Sequence, residues 1–159
     1  MTSFVSDSPL QDLFDDDWRW EMLDNPEFAY QAGHHDVEYE SGKELQDVTP
    51  AAYLNRARHS DEMVVSVREI QKNYTLSKKG KMYASLFEAL HLEVSETTRT
   101  CPLYLCPINS MGYGAVGFSF SESIEWMRFE CVRDFEKYHK RLLSFPRKFI
   151  PAFTQREFF

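Results

Sequence analysis

Three helix-start signals, each joining a capping residue to a proline, divide the first third of the chain. Ser8-Pro9, Asn25-Pro26 and Thr49-Pro50 each place a side chain that can accept a helix N–H bond before a proline. Proline suits the first turn of a helix because its missing N–H has no intrahelical partner there. No stretch alternates apolar and polar residues over a strand length. The pattern therefore predicts an all-α fold.

Apolar residues that recur every three or four positions predict which side of each helix faces inward. The predicted inward sets are Leu10, Leu13, Phe14, Trp18 and Met22; Met63, Val64, Val67, Ile70 and Tyr74; Met82, Tyr83, Phe87, Leu90 and Val94 after a start at Leu76-Ser77; and Val132, Phe135, Tyr138, Leu142 and Leu143. Gly33 is expected just past the end of the short second helix, and Phe145-Pro146 is expected to end or kink the last one. We expect an irregular helical bundle with a Pro/Gly-rich non-helical loop between the middle helices.

Length and composition predict one folded domain. The chain has 159 residues, of which 43% are hydrophobic and 15% aromatic, and this content argues against disorder. The expected organisation is an N-terminal tail over residues 1–8, a helical domain over 9–147 and a C-terminal tail over 148–159. Because exposed rings form sticky patches, the aromatic content also indicates surface that needs a partner.

The charge balance argues against nucleic acid as a partner. The chain carries 18 Lys and Arg against 25 Asp and Glu, a formal net charge of −7, and it lacks the basic stripe that nucleic-acid binders use. The short basic runs Lys78-Lys79-Gly80-Lys81 and His139-Lys140-Arg141 are interpreted as solvated helix ends.

Cysteine use and hydropathy predict a cytoplasmic protein without a membrane partner. Three cysteines do not make a disulfide scaffold, so a reducing compartment is expected. The segment from Met1 to Asp17 is acidic and lacks an apolar core of signal-peptide length. No apolar run approaches the roughly 20 residues that a membrane-spanning helix needs.

The histidines do not form a recognisable metal motif. The commonest zinc peptidases use His-Glu-x-x-His on a helix, and no histidine here is followed by Glu. The run Gly33-His34-His35-Asp36 offers ligand types, but adjacent side chains diverge and a tetrahedral site needs two more ligands. Loop hydrogen bonding or solvent exposure is the preferred interpretation of these histidines.

Other catalytic patterns fail on spacing or context. His91, Glu93, Cys101 and Cys106 depart from the zinc-deaminase pattern because the proline is missing and four residues separate the cysteines. Cys131, beside a predicted core face, is interpreted as a buried free thiol and not as a nucleophile. The G-x-G-x-x-G spacing from residue 112 to 117 lacks a preceding strand. No catalytic, cofactor-binding or metal-binding residue is predicted.

The run from Pro107 to Gly114 is too specific for a generic loop. Proline fixes one backbone angle, two glycines permit positive φ or close approach, and Asn109 can bond the local backbone. We interpret it as a structural loop that fixes how the later helices dock on the earlier ones. Its key residues are Pro107, Asn109, Gly112 and Gly114.

Four segments, in order, resemble the N-terminal region of the family catalogued as domain of unknown function 885. They are Phe14 to Ala29 with Trp18 and Asn25-Pro26-Glu27, Gly33 to His35 followed by Leu45 to Pro50, the loop from Pro107 to Gly114, and Phe135 to Pro146 with its Arg-Leu-x-x-Phe-Pro ending. Together they cover roughly residues 10 to 147. Two departures are the basic start Lys78-Lys79-Gly80 and the tail after Pro146.

The resemblance implies a helical relative of zinc-dependent peptidases. The family's His-Glu-x-x-His helix lies in a later part that has no matching position here, so no catalytic residue carries over, and zinc is expected only in full-length relatives. The chain is then expected to be an N-terminal helical scaffold without catalysis of its own. A self-standing protein-interaction module is the alternative, and peptidase activity completed by a C-terminal part is a further one. The expected partners are that C-terminal part, a second copy or another protein.

Asn109→Ala tests the structural interpretation of the loop. Loss of its backbone hydrogen bonds should lower the free energy of unfolding by about 1 kcal/mol for each buried bond. Thermal melting measures the change. An unchanged melting temperature together with the loss of a binding activity would show that the loop is functional instead.

Overall fold

Five helices account for most of the residues that the structure describes. The structure is a computed structural model and describes residues 6–35, 45–47, 49–100, 125 and 127–154. The helices are α1 (Ser8–Asp24), α2 (Pro26–Gln31), α3 (Pro50–Asn73), α4 (Lys78–Thr100) and α5 (Val132–Thr154). Within these ranges the only residue in a β-type backbone bridge is Thr75. The all-α prediction is confirmed.

The predicted helix boundaries of α2 are confirmed in detail. The Asn25 side chain accepts a hydrogen bond from the Phe28 N–H at 3.1 Å, which caps the first turn. Gly33 follows the helix with φ of 86°, a left-handed conformation that favours glycine. Local chemistry alone determines this short element.

The other starts follow the same logic, with one correction. α3 begins at Pro50, and the Ser77 hydroxyl caps α4 by accepting from the Gly80 N–H at 2.9 Å. For α1 the capping position is Asp7 and not Ser8, because the Asp7 carbonyl accepts the first helical bond, from Gln11, at 3.0 Å. The Asp7 side chain is thereby left for another contact.

The last helix is longer than expected. α5 continues through Pro146 and Pro151 to Thr154, although Pro146 was expected to end or kink it. Each proline removes only one intrahelical hydrogen bond, and the residues around it remain helical. At the other end, the Asp134 carboxylate accepts from the N–H groups of Glu130 and Cys131, at 2.9 and 3.1 Å, and so closes the first turn.

The chain divides into two compact units. The first contains α1 up to Arg19 together with α3 and α4, and the second contains the rest of α1 together with α2 and α5. In the first unit, Asp61 contacts Ser95, and Arg68 contacts Glu88. The later residue of the α3 pair thus contacts the earlier residue of the α4 pair, so these two helices are antiparallel.

The core of the first unit joins all three of its helices. Leu10, Val67, Leu76 and Ala84 are buried together, with partly buried neighbours Leu13, Phe14, Ile70 and Phe87 around them. The Phe14 and Phe87 rings meet with centroids 4.8 Å apart. Most of the predicted faces of α1 and α3 are confirmed, but Trp18 and Tyr74 are exposed.

The predicted inward face of α4 is wrong. Of that set only Phe87 is partly buried, whereas Met82, Tyr83, Leu90 and Val94 are 40–59% exposed. The side that faces the core has Phe87 among small or polar residues, at spacings of four, three, four and four: Gly80, Ala84, Phe87, His91 and Ser95. Small side chains let helices approach closely, and that approach leaves no room for the larger apolar residues.

The second unit also buries polar residues where apolar ones were expected. Its core contains Met22, Ala29, Tyr30 and Met127, against which Leu23, Phe129 and Tyr138 pack. On α5, Val132, Phe135, Leu142 and Leu143 are exposed, and the buried face has Asp134, Lys137 and Arg141. The predicted inward face of α5 is therefore wrong except at Tyr138.

Specific contacts accompany these buried cations. The Lys137 ammonium donates to the His35 carbonyl at 2.9 Å. The Arg141 guanidinium carbon lies 4.1 Å from the centroid of the Tyr30 ring, within the range of a cation–π contact. Arg141 was interpreted as part of a solvated helix end; it is fully buried because it packs on this ring.

Gly80→Ala should lower the free energy of unfolding, although alanine is the better helix former by up to about 1 kcal/mol. An added Cβ would collide with the Asp7 carboxylate, which itself accepts bonds from the Ser77 N–H and hydroxyl. In an Asp7→Ala background the same change should become neutral or stabilising. Urea unfolding of the four proteins in this cycle measures both effects, and equal effects of Gly80→Ala in the two backgrounds would contradict the collision.

Candidate functional site

One carboxylate joins three helices of the first unit. Asp17 on α1 accepts from His59 Nε2 of α3 at 2.8 Å through Oδ1, and lies 3.2 Å from His91 Nε2 of α4 through Oδ2. The side chains of both histidines are 12–14% exposed and that of Asp17 is 21% exposed. The cluster is thus largely shielded from water.

Aromatic packing and the carboxylate fix both imidazoles. An ionised carboxylate only accepts hydrogen bonds, so the Nε2 atoms of His59 and His91 are both donors. The His91 ring packs on Phe87 with centroids 4.3 Å apart and lies edge-on to the His59 ring at 6.4 Å. His91 Nδ1 is buried without a hydrogen-bond partner among the described residues.

The hydrogen bonds stabilise the ionised form of Asp17. Partial burial acts to raise the pKa of Asp17, but the bonds from His59 and His91, with electrostatic attraction to both rings, outweigh burial and lower it to about 2. The carboxylate therefore keeps its charge through the whole neutral range. It holds the three helices together through two charge-assisted bonds.

Two further aspartates join segments of the same unit. Asp61 on α3 accepts from the Ser95 hydroxyl at 2.5 Å and pairs with the Arg99 guanidinium, both on α4. The bonds from Arg99 and Ser95 lower the pKa of Asp61 to about 2. Asp7 bonds Ser77 at the start of α4. We call Asp7, Asp17 and Asp61, with these partners, the aspartate clamps.

The Asp17 cluster has ligand-type side chains without the geometry of a metal site. Two imidazoles and a carboxylate are groups that zinc accepts. In the part of the chain that the structure describes, however, no group of three His, Cys, Asp or Glu side chains is arranged to hold a metal ion. Both Nε2 atoms bond the Asp17 carboxylate, an arrangement that orients the three helices.

The sequence contains a helical spacing that indicates this cluster, but a search for apolar residues alone does not find it. His59 lies four residues before Met63 and eight before Val67, on the predicted inward face of α3. His91 lies seven residues after the buried Ala84 and four before the buried Ser95. A search for small and polar residues at helical spacing would have placed both histidines inward.

Among the described residues, the histidines singled out from sequence have separate surroundings. His34 is exposed, and the His35 ring packs edge-on to Tyr30 with centroids 5.4 Å apart. Asp36, Cys101 and Cys106 lie outside the described residues. Glu93 is exposed, and His91 contacts Asp17 instead.

Two other expectations have different outcomes. Cys131 is a free thiol but is exposed, which corrects the expectation of a buried one; it is exposed because it lies at the start of α5, where its sulfur is 3.4 Å from the Asp134 carboxylate. The structural-loop residues lie outside the described residues, so their role stays a prediction. They are Pro107, Asn109, Gly112 and Gly114.

An apolar stripe runs along the exposed side of α4 in the first unit. Met82, Leu86, Leu90 and Val94 follow one another at intervals of four residues, and all are 46–59% exposed. At 3.6 residues per turn these side chains span an arc of about 120°, and Tyr83 falls within it. We call these five residues the α4 stripe.

Charged residues lie at both ends of the α4 stripe. Lys78 and Lys79 are exposed at its start, and the Lys79 ammonium lies 5.4 Å from the centroid of the Tyr83 ring. Glu93 and Glu96 are exposed near its end, and neither carboxylate forms an ion pair with another described residue. The stripe is therefore basic at one end and acidic at the other.

Comparison with known proteins adds no relative. No protein family, no curated protein and no solved structure matches this chain. Of the helices that the structure describes, none is both long and apolar enough to cross a membrane.

Asp17→Asn should reduce the dependence of stability on acid pH. The pKa of Asp17 is lower in the folded chain than its ordinary value of 3.8, so its contribution is complete above that value and is lost as pH falls towards 2. After allowance for solvent screening, the difference in unfolding free energy between wild type and variant should shrink by about 1–2 kcal/mol between pH 6 and 2.

Urea unfolding at each pH measures this difference. Asp16→Asn is the matched control, because Asp16 is exposed on the same helix and forms no hydrogen bond or ion pair with a described residue. A constant difference between wild type and Asp17→Asn over this pH range would contradict the clamp.

Proposed function

We propose that the chain is a helical protein-interaction module that binds its partner through the α4 stripe. The observation that carries this proposal is the exposure of five large apolar side chains along one side of a helix whose inward side is packed. Contiguous exposed apolar surface of this kind marks protein–protein contact sites. An amphipathic helix that lies along such a stripe would bury alternate turns of both helices.

The aspartate clamps explain why the stripe remains outside the core. Asp17 needs His91 on the inward side of α4, and Asp61 needs Ser95 there. Rotation of α4 to bury Leu86 or Leu90 would break these bonds and leave both ionised carboxylates with fewer donors. The exposed stripe is thus part of the folded state itself.

A second candidate function is a scaffold inside a larger protein. Segments of the chain resemble the N-terminal region of the family catalogued as domain of unknown function 885, and in such a protein later segments would cover the α4 stripe. Both candidates share one property, an α4 stripe that is buried against protein. They differ in whether the covering surface comes from the same polypeptide.

The Asp17 cluster is proposed to be structural in both cases. His59 and His91 both direct Nε2 at the same carboxylate, and none of the three groups presents a reactive atom to an open surface. The module therefore works by binding, and the cluster contributes the rigidity of the face that binds.

Leu86→Lys should remove binding of a hydrophobic dye without unfolding the chain. Leu86 is 55% exposed, and leucine and lysine have similar helix propensities, so the melting temperature should change little. Dye fluorescence and circular dichroism measure the two properties. Leu92→Lys is the matched control, because Leu92 is 45% exposed on the same helix but lies about 140° away from the centre of the stripe.

Three outcomes would contradict the proposal. If Leu86→Lys unfolds the chain, Leu86 belongs to the core. If the wild type is monomeric and binds no dye, no accessible apolar face exists. Equal losses of dye binding in Leu86→Lys and Leu92→Lys would show that the α4 stripe is no more than scattered apolar surface.

A further inference from the structure

The charges on α4 run against the dipole of their own helix. Helix starts favour acidic side chains and helix ends favour basic ones. α4 begins with Lys78, Lys79 and Lys81 and has no acidic residue in its first turn, while Glu93 and Glu96 lie in its last two turns. Within one copy, this order of charges destabilises the helix.

Other groups already serve the two ends of α4. At the start, the Asp7 carboxylate accepts from the Ser77 N–H and places a negative charge beside the first turn. In the last turn, Arg99 pairs with Asp61. The exposed lysines and glutamates beside the stripe are therefore not explained by the stability of their own helix.

A second copy in the opposite direction would pair Lys78 and Lys79 with the two glutamates near the end of the stripe. We propose, on the basis of the interaction face proposed above, that the α4 stripe binds the α4 stripe of another copy of this chain, antiparallel and about a two-fold axis. Lys78 and Lys79 of each copy would then lie beside Glu96 and Glu93 of the other. The apolar side chains between them would be removed from water.

The register follows from the spacing of the stripe. Its centre falls near residue 88, so along the axis Leu86 of one copy lies level with Leu90 of the other, and Met82 lies level with Val94. Lys78 then lies within two residues of Glu96 of the other copy along the axis, or about 3 Å, at the same flank. Such a contact uses the same patch on both copies and closes after two.

Charge reversal tests both the partner and its direction. The variants Lys78→Glu/Lys79→Glu and Glu93→Lys/Glu96→Lys each place like charges at both ends of the antiparallel pair. Each should raise the dissociation constant of the dimer by about tenfold or more. An equimolar mixture should regain wild-type association, because all four contacts then join opposite charges. Sedimentation velocity measures association in each sample.

A matched control separates contact from net charge. Lys72→Glu/Lys81→Glu changes the net charge by the same amount with exposed lysines, of which Lys72 lies on α3 and Lys81 about 160° from the centre of the stripe. It should associate like the wild type. Melting temperatures should not fall in the two test variants, since their new charges suit the helix dipole.

The outcomes separate this proposal from the proposed function. A wild type that stays monomeric up to about 1 mM, with dye binding that Leu86→Lys removes, overturns the second copy as partner and leaves the interaction face intact. Absence of both dimer and dye binding overturns both proposals. A mixture that associates no better than its components overturns the antiparallel register.

Discussion

The carboxylate of Asp17 determines which side of α4 faces inward. It is ionised, partly buried and bonded to one histidine from each of two other helices. Loss of either histidine would remove a hydrogen bond from an ionised carboxylate that is largely shielded from water. This loss costs free energy, because the surroundings solvate ions less well than water does. The helices can therefore pack in only a narrow range of rotations about their axes.

The contacts of Asp61 and Asp7 also fix which side of α4 faces inward, one at each end of the helix. Asp61 contacts Ser95 and Arg99 near the end of the helix, and Asp7 contacts Ser77 at its start. Near the start of α4 the inward side has no room for a side chain, because the Asp7 carboxylate lies against Gly80. The large apolar residues are placed on the remaining side, so the exposed stripe is a consequence of polar contacts.

The sequence could predict features that depend on local chemistry, but not those that depend on long-range contacts. Helix starts depend on residues a few positions apart, and the predicted cap at Asn25-Pro26 is confirmed. The inward faces of α4 and α5 were predicted from apolar size alone and are wrong. Their orientation depends on pairs far apart in sequence, such as Asp17 with His91 and His35 with Lys137, separated by 74 and 102 positions. A single helical pattern does not contain that information.

The aspartate clamps also matter for the proposed binding. A face that recognises another helix must hold its apolar side chains in a fixed arrangement, because ordering them on binding would reduce affinity. α4 has this rigidity from the contacts of its inward side, which are charge-assisted and so strongly directional. The polar interior and the apolar exterior of α4 are therefore two parts of one arrangement: the aspartates fix the helix, and the fixed helix presents the stripe.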